Sequence, residues 1–314
     1  MQPDRDPHCE KVRFYLAPLE GITTFIYRRI YREMFGGMEK YFSPFIAPVS
    51  HQRFKKRDER DILPEHNEGV PLVPQVLTNN ADDFLFAAGC LREYGYDEIN
   101  LNLGCPSGTV VTKGKGAGFL AYPERLNRFL DQVFAGTDVP VSIKSRLGVE
   151  RPEEFLDIIR IYNKYPVHEL TIHPRVQKDF YKNRPDWDMF ERALEISRNP
   201  VCYNGDINTC EDYHRFRERF PSVDRIMIGR GIIADPGLIR QIRSGETVSG
   251  RELLVFLERL CEAYEQIMPG EPALFKMKEI WSYICRNRPD GVKLWKKIRK
   301  TRNLKEYKSI ICLL

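Results

Sequence analysis

The sequence has no long apolar run and no apolar segment near its start. No stretch approaches the roughly 18 consecutive apolar residues that a membrane-spanning helix needs. Residues 1–8 carry charges where a secretory signal would carry an apolar core. These absences argue against a membrane-spanning or secreted protein, and we expect a soluble protein of the cytoplasm.

Clustered cysteines are also missing. Zinc and iron–sulfur sites need ligands at close spacing, and no two cysteines here form a C-x-x-C pair. A chain of this size does not need disulfides to hold its core together. We therefore expect no metal, and reduced thiols that are mostly inert core residues. The eight cysteines are Cys9, Cys90, Cys105, Cys202, Cys210, Cys261, Cys285 and Cys312.

The composition is that of a folded protein with an unevenly distributed charge. Of the 314 residues, 42% are hydrophobic and 11% aromatic, which argues against disorder. The net charge is +5, but residues 273–314 alone hold 12 Lys and Arg against 3 Asp and Glu. A basic tail on a slightly acidic body suggests binding to a polyanion, with nucleic acid as the first candidate. The alternative is a lysine-rich helix that simply faces solvent.

Strand-like and helix-like segments alternate over about the first 230 residues. Most of the strand-like runs are separated by amphipathic stretches of helical spacing. This alternation predicts a parallel sheet, because parallel strands need crossover connections. The predicted strands are residues 14–20, 40–46, 72–77, 98–103, 139–145, 169–173, 201–204 and 225–228.

Eight such units favour a closed (β/α)₈ TIM barrel, for which about 250 residues is typical. The alternative is an open doubly wound sheet, which would carry a G-x-G-x-x-G turn after its first strand. The sequence after the first predicted strand, Pro18-Leu19-Glu20-Gly21, has no such turn. We therefore predict a barrel.

The strand signals stop after Gly245. Four helices are predicted at residues 251–268, 273–285, 292–300 and 304–311, separated by turns rich in Pro and Gly. We predict two domains: a barrel over residues 1–245, and a basic helical bundle over residues 246–314.

Polar and special residues stand where the predicted strands end, which is where barrel enzymes hold their active sites. Taken singly, each has an ordinary structural explanation, such as a turn for Asn204 or a buried core position for His173 and Cys105. Together they place a thiol, a histidine, amides and cations on one face. The same face carries two glycines that flank Arg230, an arrangement suited to binding a phosphate. These residues are Pro18, Leu19, Glu20, Gln75, Asn102, Cys105, Lys144, Arg146, His173, Arg175, Asn204, Gly205, Asp206, Gly229 and Arg230.

The same strand ends carry short motifs in a fixed order. They are Ala-Pro-Leu-Glu-Gly-Ile-Thr (17–23), Asn-Leu-Gly-Cys-Pro-Ser (102–107), Lys-Gly-Lys-Gly-Ala-Gly (113–118), Ile-Lys-Ser-Arg-Leu-Gly (143–148), Thr-Ile-His-Pro-Arg (171–175), Asn-Gly-Asp-Ile (204–207) and Met-Ile-Gly-Arg-Gly (227–231). In order and spacing this set resembles the tRNA-dihydrouridine synthases. The helical tail is similar to that family's C-terminal domain.

The resemblance implies an FMN-containing barrel that reduces uridine in folded RNA, with NADPH as a transient reductant. It implies that Cys105 is the catalytic acid. Because a thiol has an ordinary pKa of about 8.5, it is protonated at neutral pH and can still give up its proton. The residues that the resemblance places at the cofactor are Pro18, Leu19, Glu20, Gln75, Lys144, His173, Asn204, Gly205, Asp206, Gly229 and Arg230.

The substrate is expected to be tRNA, with ribosomal RNA as an alternative. The target base must be flipped into the barrel mouth, and the basic helices would offset that cost by binding phosphates. The expected substrate-binding residues are Asn102, Arg146, Arg175, Lys296, Lys297 and Arg299. No stable protein partner is implied. Two rivals remain open at this point: an FMN barrel that acts on a free pyrimidine, like dihydroorotate dehydrogenase, and an RNA-binding protein without catalysis.

Overall fold

The structure, a computed structural model, describes residues 11–49 and 53–312. Its centre is one sheet of nine parallel strands in the order β3-β2-β1-β9-β8-β7-β6-β5-β4. The strands are β1 (Arg13–Leu16), β2 (Lys40–Phe42), β3 (Leu72–Val73), β4 (Gln75–Val76), β5 (Ile99–Leu103), β6 (Val141–Arg146), β7 (Leu170–His173), β8 (Val201–Asn204) and β9 (Arg225–Ile228).

The two ends of this sheet order, β3 and β4, are separated in sequence only by Pro74. Proline has no N–H to donate to a strand partner, so Pro74 breaks the hydrogen-bond ladder within a single strand. β3 and β4 are the two parts of that strand. β3 pairs with β2 on one side and β4 with β5 on the other, which closes the sheet on itself. The prediction of an eight-stranded parallel barrel is therefore confirmed, and the open doubly wound alternative is wrong.

Helices surround the barrel. They are α1 (Phe25–Met34), α2 (Lys56–Ile62), α3 (Ala81–Glu93), α4 (Gly108–Val111), α5 (Pro123–Gly136), α6 (Phe155–Tyr162), α7 (Trp187–Ile196), α8 (Cys210–Arg219), α9 (Arg230–Ala234) and α10 (Leu238–Ser244). After Gly245 the described residues form α11 (Gly250–Ile267), α12 (Glu271–Ile284), α13 (Gly291–Ile298) and α14 (Leu304–Ile311). The four predicted tail helices are confirmed, whereas α2, α4, α9 and α10 were not predicted.

The burial of β1 shows how the core is divided. Side chains alternate between the two faces of a strand. Phe14 and Leu16 belong to the large cluster that includes the surrounding helices, whereas Tyr15 and Ala17 belong to a small cluster with side chains of other strands. The small cluster fills the barrel interior. Both faces of the strand are thus buried, as expected for a parallel sheet covered by helices.

The tail helices pack against the barrel on the side of its β1 loop. Tyr264 of α11 lies 3.3 Å from the Thr24 hydroxyl, and Lys276 of α12 donates to the carbonyl of Gly21 at 2.8 Å. Trp281 is fully buried in α12 and donates to the Tyr307 hydroxyl at 2.9 Å, so it is a core residue of the bundle. Among the described residues, none of the helices has the length and apolarity needed to cross a membrane. None of the seven cysteines in the described ranges forms a disulfide, and Cys9 lies outside those ranges.

Candidate active site

The carboxyl ends of the strands surround two overlapping cavities of about 570 and 390 Å³. Five residues line both, so the two form one continuous cleft across the barrel mouth. The shared residues are Pro18, Leu19, Lys144, His173 and Tyr181. Glu20, Gln75, Asn102, Cys105 and Arg146 complete one end of the cleft, and Asn204, Gly205, Asp206, Gly229 and Arg230 complete the other. The fold thus brings nearly all the predicted barrel residues into one site.

A chain of side-chain amides fixes the loop that carries Cys105. Asn102 accepts hydrogen bonds from the Gly104 and Cys105 N–H groups through its Oδ1, at 3.1 and 2.9 Å. Its Nδ2 donates to Gln75 Oε1 at 2.7 Å, and Gln75 Nε2 donates to Asn100 Oδ1 at 2.8 Å. Each amide orients the next, so the thiol's backbone is held from two neighbouring strands, β4 and β5. Asn102 is therefore a positioning residue for Cys105 as well as part of the cavity wall.

The glycine-rich motif at residues 113–118 closes over the same loop. Gly116 has a left-handed backbone, with φ +56°, and a Cβ there would lie 2.8 Å from the Cys105 carbonyl oxygen. The next residue, Ala117, donates its N–H to that oxygen at 3.1 Å. Only glycine permits both this conformation and this close approach. The motif therefore holds the loop that carries the Cys105 thiol at a second point, in addition to Asn102.

Burial keeps the Cys105 thiol protonated. Desolvation raises its pKa above the ordinary value and outweighs the hydrogen bond from the Ser107 backbone and the nearby cations Arg146 and Lys144, which lower it. A thiol with a raised pKa is a reservoir of one proton at neutral pH rather than a nucleophile. The environment thus favours the role of proton donor over that of attacking group.

The middle of the cleft carries a half-buried lysine, Lys144, and a buried histidine, His173, whose charged forms are disfavoured without a ligand. Desolvation, followed by the neighbouring Arg146, lowers the pKa of Lys144 to about 7. Burial also takes the pKa of His173 well below its ordinary value, and Arg146 and Lys144 lower it further. His173 Nε2 lies 2.9 Å from Arg175 Nη1, and a guanidinium nitrogen can only donate, so Nε2 accepts and the proton sits on Nδ1.

At the other end of the cleft, one carboxylate holds two arginines. Asp206 accepts from Arg230 at 2.5 Å and from both terminal nitrogens of the fully buried Arg175. Asn204 donates to the Met227 carbonyl at 2.8 Å, which ties β8 to β9 beside them. Gly231 approaches Ile207 so closely that a Cβ would lie 2.2 Å from its carbonyl oxygen. This end is therefore a compact pocket with two guanidinium groups for a single carboxylate.

The number of basic side chains at the cleft indicates an anionic ligand, which would favour the charged form of Lys144. Lys144, Arg146, Arg175 and Arg230 lie in or against the cleft, and among the described residues Asp206 is the carboxylate that bonds two of them. Arg146 donates to the backbone carbonyls of Gly104, Val176 and Phe180, at 2.8 to 2.9 Å. A bound phosphate or an anionic ring system would stabilise this group of cations.

Four predicted residues do not reach the cleft wall. Arg175 lies behind it, because its guanidinium is committed to Asn183, His173 and Asp206. Lys296, Lys297 and Arg299 are exposed on and just after α13 and line neither cavity. In the part of the chain that the structure describes, no carboxylate lies within 4.0 Å of these three side chains. Their contact with RNA stays a prediction.

Known proteins resemble this chain over most of its length. The family model described as "Dihydrouridine synthase (Dus)" matches residues 15–309. The "tRNA-dihydrouridine(16) synthase" of Aquipseudomonas alcaligenes is 30% identical over 312 residues, covering 95% of this chain and 98% of that protein. The protein of the same name from Pseudomonas syringae pv. tomato is 31% identical and covers 91% and 93%. This chain belongs to the dihydrouridine synthase family.

Membership in the dihydrouridine synthase family confirms the resemblance and the expectation of a flavin-dependent oxidoreductase. It argues against the two rivals, an enzyme of a free pyrimidine and a barrel without catalysis. Among solved structures, "Morphinone reductase" aligns with a TM-score of 0.53 at 14% identity, covering 76% of this chain and 87% of that one. An old yellow enzyme homologue from Zymomonas mobilis aligns with a TM-score of 0.54 at 11% identity, covering 76% and 90%. At these identities the two structures support the barrel fold alone.

Sequence reasoning missed one prominent residue of this dihydrouridine synthase site. Tyr181 lines both cavities, and its ring lies 4.4 Å from the Arg230 guanidinium and 5.4 Å from that of Arg146. It follows Phe180, whose φ of +49° is the only positive value at a non-glycine residue in the described chain. No motif marks this loop, because the tyrosine reaches the cleft through the path of the chain after β7.

Proposed function

We propose that this chain is an FMN-dependent tRNA-dihydrouridine synthase of the cytoplasm, with NADPH as its reductant. The observation that carries the proposal is the arrangement of a largely buried thiol, Cys105, and several basic side chains along one cleft of a family member. Several relatives bear the printed name tRNA-dihydrouridine(16) synthase, and we extend that target, uridine 16 of tRNA, to this chain.

The residues of the cleft fit a flavin mononucleotide. The two-arginine pocket suits its phosphate, with Arg230 and the backbone of Gly205 and Gly229 as donors and Asn204 beside them. Asp206 is assigned to holding Arg230 rather than to the phosphate itself, because two anions repel. Pro18, Leu19, Gln75, Lys144 and His173 line the rest and would hold the ring system, and Glu20 stands at its outer edge. When bound, FMN supplies the hydride for C6 of uracil.

The protein's own residues supply the proton and the charge stabilisation. Addition of hydride to C6 leaves negative charge on C5 and O4 of the base, and a proton must reach C5. Cys105 is assigned to that transfer, because burial keeps its thiol protonated at neutral pH. Arg146 and Tyr181 line the same end of the cleft and would contact the base, with Asn102. Arg175, from behind, keeps His173 neutral and oriented.

The helical tail, residues 246–314, is assigned to binding the RNA. Its cations Lys293, Lys296, Lys297, Arg299 and Lys300 are exposed, so they are available to phosphates. Extrusion of the base costs a few kcal/mol, and phosphate contacts at a distance from the reacting atoms can offset that cost.

The test uses the flavin-loaded protein, NADPH and RNA that lacks dihydrouridine. Dihydrouridine nucleoside is measured by mass spectrometry in separated tRNA and ribosomal RNA fractions, and its position is mapped in the tRNA. We expect product in tRNA at position 16. Product only in ribosomal RNA would show that the substrate is ribosomal RNA rather than tRNA. No product in either fraction from a flavin-loaded protein would refute the proposal.

Two variants test the role of Cys105. Cys105→Ala should lower the rate of product formation by roughly 10²- to 10⁴-fold, the usual contribution of a general acid. Reduction of the bound flavin by NADPH should not change, because that step precedes the proton transfer. Cys90→Ala is the matched control, since Cys90 is a partly exposed thiol on α3 outside both cavities. Equal losses in the two variants, or none in either, would contradict the assignment.

A further inference from the structure

A further cavity of about 660 Å³ lies beside the cleft, between the barrel and the tail helices. Its apolar wall includes Phe45 and Ile46 from the loop after β2, and Tyr264 and Met268 from α11 and its end. An apolar lining with a few polar groups at its edge is typical of sites for ring-shaped ligands. None of the roles assigned above uses it.

This cavity, called here the flank cavity, adjoins the catalytic cleft. Glu20, Pro44 and Phe45 line both spaces, so the two meet at one shared wall. A molecule held in the cleft and extending past Phe45 would enter the flank cavity directly. Of the groups in the proposed reaction, an RNA strand is the one that extends from the target base in both directions.

Three basic side chains, those of Arg57, Arg60 and Lys276, line the flank cavity. Arg57, on the unpredicted helix α2, has a side chain that is 70% exposed although it pairs with Glu20 at 3.0 Å. Lys276 Nζ contacts the Gly21 carbonyl at 2.8 Å and Glu279 at 3.0 Å. Arg60 lines the cavity, and its Nε is buried with no hydrogen-bond partner among the described residues.

The three acidic residues of the same wall are all paired, Glu20 and Asp58 with the one guanidinium of Arg57 and Asp61 with Arg28. Asp61 accepts from Arg28 at 2.9 Å and from the N–H of Phe25 at 2.7 Å, and Arg28 is fully buried. Asp58 accepts from Arg57 at 3.1 Å. Arg57 is the most exposed of these charged side chains, at 70% against 45% for its partner Glu20, so a guanidinium stands at the opening above an apolar interior.

We propose that the flank cavity holds the base of a nucleotide adjacent to the target uridine, with the connecting phosphate near Arg57 and Lys276. The inference rests on the proposed function, because it needs RNA in the cleft. An apolar wall beside the exposed Arg57 guanidinium matches the two parts of a nucleotide, the flat base and its phosphate. The enzyme thereby recognises a pair of unstacked nucleotides, which restricts it to a flexible loop of the RNA.

Filling the cavity tests this without touching the catalytic cleft. Met268→Trp places an indole in the flank cavity, and Val255→Trp is the matched control at an exposed position of α11 outside it. We expect Met268→Trp to raise KM for tRNA about tenfold, within the range for loss of one buried base, and to leave kcat nearly unchanged. Val255→Trp should leave both unchanged.

Abasic substrates make the test specific. Three tRNA transcripts carry one abasic site each: 5′ to the target uridine, 3′ to it, or at a distant unpaired position. With the wild-type chain, one of the two neighbouring abasic sites should raise KM about tenfold, and the distant one should not. In Met268→Trp this difference should disappear, because the cavity is already closed. A merely structural role for Met268 would not remove it.

Different results would refute the proposed function and the flank-cavity proposal. Absence of dihydrouridine from the unmodified transcript with the wild-type chain would refute the proposed function. Product formation with the same KM on all transcripts, or an abasic effect that persists in Met268→Trp, would overturn the flank-cavity proposal alone. If Met268→Trp instead slows flavin reduction by NADPH and leaves KM for tRNA unchanged, the cavity belongs to the reductant, and the proposal is again overturned.

Discussion

Lys144 should lower the stability of the flavin-free protein, although it favours binding of the flavin. Burial lowers its pKa from the ordinary 10.5 to about 7, which means that the folded chain disfavours the charged amine. That difference corresponds to about 3–5 kcal/mol of unfolding free energy. Lys144→Met keeps a side chain of similar length without the charge. The flavin-free variant should therefore be more stable than the wild-type chain.

The stability gained by Lys144→Met should become smaller as the pH rises. Between about pH 7 and 10.5 the unfolded chain binds the proton and the folded chain does not, so the stability of the wild-type protein rises with pH over this window. Below pH 7 the full cost is present. We expect Lys144→Met to gain about 3–5 kcal/mol at pH 6 and roughly 2 kcal/mol at pH 9.

Denaturant unfolding of the flavin-free proteins at the two pH values measures both quantities. Lys182→Met, at an exposed position of the loop after β7, is the control and should change little. Flavin affinity should fall in Lys144→Met, because an anionic ring loses its cation. A variant that is no more stable at pH 6, or a gain that does not shrink at pH 9, would refute the reasoning.

Three further outcomes are expected. Turnover should persist through neutral pH and fall only on the alkaline side of the raised pKa of Cys105, as the thiol deprotonates; a pH–rate profile at saturating tRNA that falls already between pH 6 and 7 would contradict this. Gly116→Ala should destabilise the Cys105 loop by about 1 kcal/mol or more, measured as an earlier unfolding midpoint together with reduced turnover, because its φ is +56° and its Cβ would touch a carbonyl. Removing the charges of Lys296, Lys297 and Arg299 together should raise KM for tRNA and reduce the slope of log affinity against log salt by about 2 to 3, measured by RNA binding at several salt concentrations; an unchanged slope would place the RNA elsewhere.

The sequence alone determined the barrel and the order of its parts. Each strand is buried on both faces and each helix on one, so the period of the apolar pattern changes at every boundary and can be read locally. The strand ends are fixed by the same pattern, and barrel geometry collects them on one face. For this reason Cys105, Lys144, His173 and Arg230 could be placed in one site before any coordinates were known.

The tertiary structure decided which partners these residues have. Asp206 follows the frequent turn residues Asn204 and Gly205, and only the fold reveals that it holds Arg175 and Arg230. The interruption at Pro74, the helix α2 and the position of Tyr181 depend on contacts between segments far apart in sequence. The flank cavity is the clearest case, since Phe45 and Met268 are separated by more than two hundred residues and meet only when the tail packs on the barrel. The hydrophobic periodicity of a segment shows which of its faces are buried, but not which other segment packs against them.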